Sequence, residues 1–116
     1  MPDAALEDIR VLELGQMVSA PYCAKLFADY GADVVKIEAP EDGDISRRWG
    51  PFPNDQAHPE KSGLFHFLNT NKRGVALDVR AASGREQMLG LVERTDVLIE
   101  NYTPGQMRDL GLDYAS

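Results

Sequence analysis

"IRVLELGQMVSAPYCAKLFADYGADVVKIEA", residues 9–39, decides the fold. It holds two short apolar runs separated by one amphipathic stretch. Ile9–Leu14 is β-branched and apolar, bounded by an acidic tail and Gly15, and reads as a strand. "GQMVSAPY" gives a turn, with Ser19 as a possible cap and Pro21 suited to a first helical turn. Cys23, Leu26, Phe27 and Tyr30 then fall at i, i+3, i+4 and i+7, one face of a helix that Gly31 closes. Asp33–Ala39 is too short for an independent helix and reads as a second strand. Strand–helix–strand with no hairpin turn implies two parallel strands under a crossover helix.

The rest repeats that grammar after an interruption. From Pro40 to Gly63, four prolines and three glycines break all periodicity. A connection of this length in a compact domain is usually functional or mobile. Within it, "SRRWG" (46–50) reads as a solvated turn pinned by Trp49, or as two cations for a phosphate or a partner. "LFHFLN" admits a short helix or an edge strand, and Gly74–Val79 alternates as a strand. A helix through Met88, Leu91 and Val92 follows, with Ser83 and Glu86 spaced as a capping box. Asp96–Asn101 is a buried-type strand, and Pro104 starts a last short helix ending near Gly111. The whole predicts one α/β domain over 1–116, a Rossmann-like parallel sheet flanked by helices.

Composition bounds the chemistry. The 116 residues carry a net charge of −7, which argues against nucleic acid because no basic stripe neutralises a run of phosphates. The single cysteine, Cys23, excludes an internal disulfide and reads as core packing rather than a reactive thiol. No apolar run approaches a membrane span, and "MPDAALED" lacks the basic start of a signal peptide, so a cytoplasmic location is expected. His58 and His66 have no metal-ligand spacing; His58 reads as solvated, and His66, between two phenylalanines, as packed.

In an open parallel sheet, ligands lie beyond the carboxyl ends of the strands. "GQMVSAPY", the long loop and "ENYTPG" lie there. No dinucleotide fingerprint or P-loop is present, and Gln16 and Ser19 by themselves read as turn and cap residues. "FLNTNKRGVALDV" (67–79) is odder. Two amides and two adjacent cations exceed what a solvated turn needs, although such a turn is their plain reading.

Four stretches in order, "VLELGQMVSAPYCAKLFADYGADVVKIE", "GDISRRWGPF", "FLNTNKRGVALDV" and "DVLIENYTPGQMRDLGLDY", resemble the N-terminal portion of the family III (CaiB/BaiF-type) CoA-transferases. The likeness runs from about Ile9 to the end. It implies an enzyme moving CoA between an acyl-CoA thioester and a carboxylic acid acceptor. Its route is an active-site Asp that forms an anhydride and then an aspartyl-CoA thioester. Coenzyme A enters as substrate, and no further cofactor is implied. Carried over by position, Met17, Val18 and Ser19 match the segment beside the acyl-CoA. Leu77 matches a position near the CoA nucleotide, and Asn101 and Tyr102 a pair contacting CoA. Lys72 and Arg73 match the family's "NKR", expected near the CoA phosphates or the strand turn. Arg108 lies one position before a familiar relative's arginine, for a phosphate role. After "KIE", where several relatives carry Arg, this chain has Ala39, so that the resemblance implies one adenine or phosphate contact either missing or supplied by Arg47 or Arg48.

The family's nucleophilic Asp lies beyond "LGLDY", so this segment has no catalytic residue, and no turnover is expected from it alone. Relatives form interlocked homodimers, so low independent stability is expected of the segment. The same resemblance admits α-methylacyl-CoA racemisation. A non-catalytic flavodoxin-like binding domain is the alternative of another class, though neither a phosphate loop nor an acidic receiver cluster supports it.

Overall fold

The structure is a computed structural model that describes residues 3–116, so the first two residues of the acidic start lie outside it. Its elements are β1 (Arg10–Leu14), α1 (Ser19–Asp29), β2 (Asp33–Glu38), α2 (Gly63–Leu68), β3 (Arg73–Ala76), α3 (Ala82–Val92), β4 (Val97–Glu100) and α4 (Pro104–Asp109). Two 3-10 turns, Ile45–Arg48 and Pro53–Asp55, punctuate the long connection. The four strands are all parallel, in the order β3-β2-β1-β4. The expected α/β sheet is therefore present.

The chain winds one way from β1 to β2 and β3, then returns past them to β4. Right-handed crossovers run in opposite directions put their helices on opposite faces. Alternate strand residues divide accordingly. Val11 and Val34 pack with Ala24, Ala28 and Ala32 on the α1 face. Leu12, Leu14 and Ile37 pack with Leu77, Met88, Met107 and Leu112 on the other.

Helix α1 buries a different face from the expected one. Ala20, Pro21, Ala24 and Ala28 face the sheet. Tyr22, Leu26 and Tyr30 are exposed, Cys23 is exposed rather than packed, and Phe27 is only partly buried against the core. Close packing is the reason. A Cβ on Gly15 would already lie 2.4 Å from Ala20 Cβ, so only small side chains fit at that approach. Gly31 ends the helix as expected, at φ +103°. Its N–H donates to Ala28 O and the Ala32 N–H to Phe27 O, both at 3.0 Å, a Schellman closure.

Other local readings also shift. Ser19 is the first helical residue, not the cap, which is Val18 with no side-chain bond. The Ser83 capping box does not form, because α3 begins at Ala82 with Ala81 before it. The real box is at α4, where Thr103 and Gln106 cap reciprocally. "LFHFLN" is helical because the Ser62 hydroxyl accepts from the Phe65 N–H. His66 is exposed, not packed, and its ring reaches Glu60 O at 2.7 Å. Trp49 is 56% exposed and does not pin its turn; buried Ser62 does, donating to Ser46 O at 2.8 Å and contacting Trp49 O. Among the described residues, no helix is long and apolar enough to cross a membrane.

Candidate functional site

The carboxyl ends of the strands open onto a cleft of about 490 Å³. Gln16, Ala39, Arg48, Leu77, Arg80 and Tyr102 are among its lining residues. They come from the segments following all four strands and from the long connection, which explains why the wall is scattered in sequence.

The turn between β1 and α1 is the most constrained part. Met17 adopts φ 64°, a conformation disfavoured for a side chain with a β-carbon. Asn101, just beyond β4, sews this turn to the end of the neighbouring strand. Its Oδ1 accepts from the Gln16 N–H at 2.9 Å, and its Nδ2 donates to Gln16 O at 2.7 Å and Ser19 Oγ at 3.0 Å. The Gln16 side chain donates to the Tyr102 hydroxyl at 3.3 Å and accepts from the Ile45 N–H at 3.3 Å. Asp44, from the long connection, holds the turn from behind by accepting the Met17 N–H at 3.0 Å.

Behind that turn lies a buried row of charges. Glu13 and Lys36 are register partners on β1 and β2, and Lys36 Nζ sits 2.7 Å from Glu13 Oε2 and 2.8 Å from Asp44 Oδ2. Lys72 Nζ reaches the other Glu13 oxygen at 2.6 Å, and donates to Pro21 O at 2.9 Å and Asn69 Oδ1 at 2.7 Å. All four side chains are at most 2% exposed. Burial pulls the Asp44 pKa upward, but the Lys36 charge and hydrogen bonds from Lys36, Met17 and Ser46 outweigh it, leaving it below the ordinary carboxylate value. For Lys72, burial wins over the Glu13 carboxylate and holds the ammonium below the usual lysine range.

The polar cluster before β3 is therefore internally engaged. Asn69 closes α2 onto Phe65 O and receives Lys72. Asn71 takes φ 64°, which asparagine tolerates, and donates to Asp29 Oδ1 at 3.0 Å. Arg73 forks onto Asp33 at 2.9 and 2.7 Å, at the amino end of the sheet, away from the cleft. Of the candidate residues, Leu77 and Tyr102 line the cleft, Met17 and Val18 lie in the turn beside it with Ser19 opening α1, and Asn101 is hydrogen-bonded to that turn from beyond β4. Lys72 points inward. Arg108 is exposed on α4; Gln106 and Asp109 of that helix, with Leu110 just after it, line the cleft instead.

The two arginines of "SRRWG" separate. Arg47 forks onto Glu38 at 2.8 Å and stacks 3.7 Å over the Phe65 ring, whereas Arg48 lines the cleft. Glu13, Lys36 and Asp44 were not singled out by the sequence reading. One signal was available: a single charge, of opposite sign in the two, interrupts the apolar runs "VLEL" (11–14) and "VVKI" (34–37).

Comparison with known proteins gives the family and the fold. The model of CoA-transferase family III matches residues 6–116. Succinyl-CoA:mesaconate CoA-transferase of Haloarcula hispanica is 44% identical over 110 residues, 95% of this chain and 28% of that protein. Succinate–glutarate CoA-transferase of Agrobacterium fabrum is 38% identical over 113 residues, 96% of this chain and 28% of that protein. The crystal structure of a CAIB/BAIF family protein from Brucella suis superposes with a TM-score of 0.84 at 36% identity, covering 97% of this chain and 29% of that one. The chain thus spans under a third of the length of the relatives it matches. Over that span, it belongs to CoA-transferase family III.

Proposed function

We propose that this segment forms the front wall of a CoA ester site in an enzyme that moves CoA between an acyl-CoA thioester and a carboxylate. The observation that carries the reading is the cleft itself. The turn at Met17, the Asn101–Tyr102 pair and Leu77 meet at the carboxyl end of the sheet, where an open α/β fold takes ligands. Arg48 and Arg80 bring cations to the same cleft. They are suited to the CoA phosphates, with Arg48 serving where Ala39 offers none. The inward-facing Lys72 braces this wall rather than touching ligand.

The chemistry would be covalent. A carboxylate supplied from outside this segment attacks the thioester carbonyl and expels CoA thiolate, leaving a mixed anhydride. The thiolate then attacks the enzyme's own carbonyl in that anhydride, releasing the donor acid and leaving an aspartyl-CoA thioester. The acceptor carboxylate and the returning thiolate run the same two steps in reverse. Transfer is favoured over racemisation by the named activities of the relatives above. Acting as one subunit of an interlocked dimer in the cytoplasm is part of the same proposal.

Titration calorimetry of the 116-residue chain with CoA tests the ligand. Saturable one-to-one binding is expected, weakened about tenfold in Arg48→Met, as for loss of one charge-assisted phosphate contact. No heat from CoA, or an unchanged affinity in that variant together with Arg80→Met, would sink the assignment.

A further inference from the structure

We propose that Asp44 is a positioning residue that sets the Met17 turn in the shape presented to the cleft, with Lys36, Glu13 and Lys72 as the charge row that holds it. The row runs Lys72–Glu13–Lys36–Asp44 at 2.6, 2.7 and 2.8 Å, and ends where Asp44 Oδ1 accepts the Met17 N–H at 3.0 Å. Two cations and two anions alternate, so the row is neutral as a whole.

Its reach matters more than its charge. The row starts at the entry to β3, crosses β1 and β2, and finishes on the one backbone N–H of the turn whose residue holds a positive φ. Well-packed apolar side chains would stabilise such an interior as well as ions do, so stability alone does not require the row. An apolar core would, however, leave the Met17 N–H with no acceptor. Asp44 has been brought from 27 residues away to supply one. Its other contacts fix its own aim: Oδ1 also accepts from the Ser46 N–H at 2.8 Å, and the Asp44 N–H donates to Glu38 at 2.7 Å. With Met17 held, Gln16 is directed between Tyr102 and the Ile45 N–H before any ligand arrives. The consequence for CoA rests on the proposed function; the positioning itself does not.

Two charge-neutral double variants separate positioning from stability. Lys36→Met with Asp44→Asn keeps an oxygen for the Met17 N–H, whereas Lys36→Met with Asp44→Val keeps the size and removes the acceptor. Both retain the Glu13–Lys72 pair. Met17 amide hydrogen exchange is expected to be about tenfold faster in the valine variant, with CoA affinity weaker by a similar factor, both read well below the unfolding midpoints of the two variants. Equal Met17 exchange in the two variants overturns the proposal. So does faster exchange with unchanged CoA affinity, in a chain whose unaltered form binds CoA. If the unaltered chain binds no CoA, the CoA reading fails and exchange alone decides the positioning. If neither variant folds, exchange in the unaltered chain decides. Protection of Met17 beyond that of Val18 supports the proposal, and equal lability overturns it.

Discussion

Lys72 and Arg73 are adjacent and of like charge, yet replacing each with Met should give very different results. The Lys72 side chain is 2% exposed and Glu13 is fully buried. Lys72→Met leaves Glu13 and Asp44 to share Lys36, an uncompensated buried negative charge. Breaking a buried pair from one side costs about 3–5 kcal/mol. The Met stem keeps some packing, so the lower end, about 3 kcal/mol, is expected. Arg73 and Asp33 are 69% and 44% exposed, and an exposed pair contributes only about 0.2–1 kcal/mol even when forked. Urea denaturation followed by far-UV circular dichroism reads both. With a slope of roughly 1–3 kcal/mol per molar urea, Lys72→Met should lower the midpoint by ~1–3 M and Arg73→Met by less than about half of that. Adding Glu13→Gln to Lys72→Met removes the orphaned charge and should recover part of the loss. Equal costs for the two single variants, or no recovery in the double, would refute the buried-row account.

Acid should destabilise the chain through the same region. Burial raises the pKa of both Asp44 and Glu38. Lys36 and backbone N–H groups more than offset this at Asp44, as do Arg47 and the Asp44 N–H at Glu38, so both end below their ordinary values. Their stabilisation is therefore complete above the unfolded carboxylate pKa of about 4, and is lost as pH falls through the lower folded values. Thermal midpoints should be level from neutral pH to about 5 and drop below about 4; a level profile down to pH 2.5 would contradict this. In α3, two glycine-to-alanine changes should differ in sign. A Cβ at Gly84 would lie 1.9 Å from the Asp78 carbonyl oxygen, whereas at Gly90 nothing lies within 4 Å. Gly84→Ala should cost about 1–3 kcal/mol from overpacking, and Gly90→Ala should gain about 0.5–1 kcal/mol from helix propensity, both read from the same urea curves.

How much of this was legible beforehand differs by level. The strands at Arg10–Leu14, Asp33–Glu38 and Val97–Glu100 lie within a residue of their apolar runs, but only the first two are buried: Val97–Glu100, expected to be of buried type, is an edge strand with Leu98 exposed. The Gly74–Val79 run overshoots β3, which is Arg73–Ala76. The ladder ends at Ala76, after which the Leu77 N–H still reaches Glu38 O but Asp78 turns, and α3 closes onto its carbonyl at Gly84. Leu77 and Tyr102 were placed at the cleft by family likeness, not by periodicity.

Apolar spacing and turn residues are local properties, so the sequence by itself determined the alternation of strands and helices, the parallel sheet and the family. It did not determine which face of α1 is buried. Cys23–Tyr30 and Ala20–Ala28 are both regular stripes, and only the distance to the sheet chose the smaller one. Nor did it determine the use of the cations before β3. Lys72 finds Glu13 across 59 residues, and Asp44 finds Met17 across 27. Those pairings exist only once the strands are in register and the long connection is folded back, because charge partners are set by distance in space.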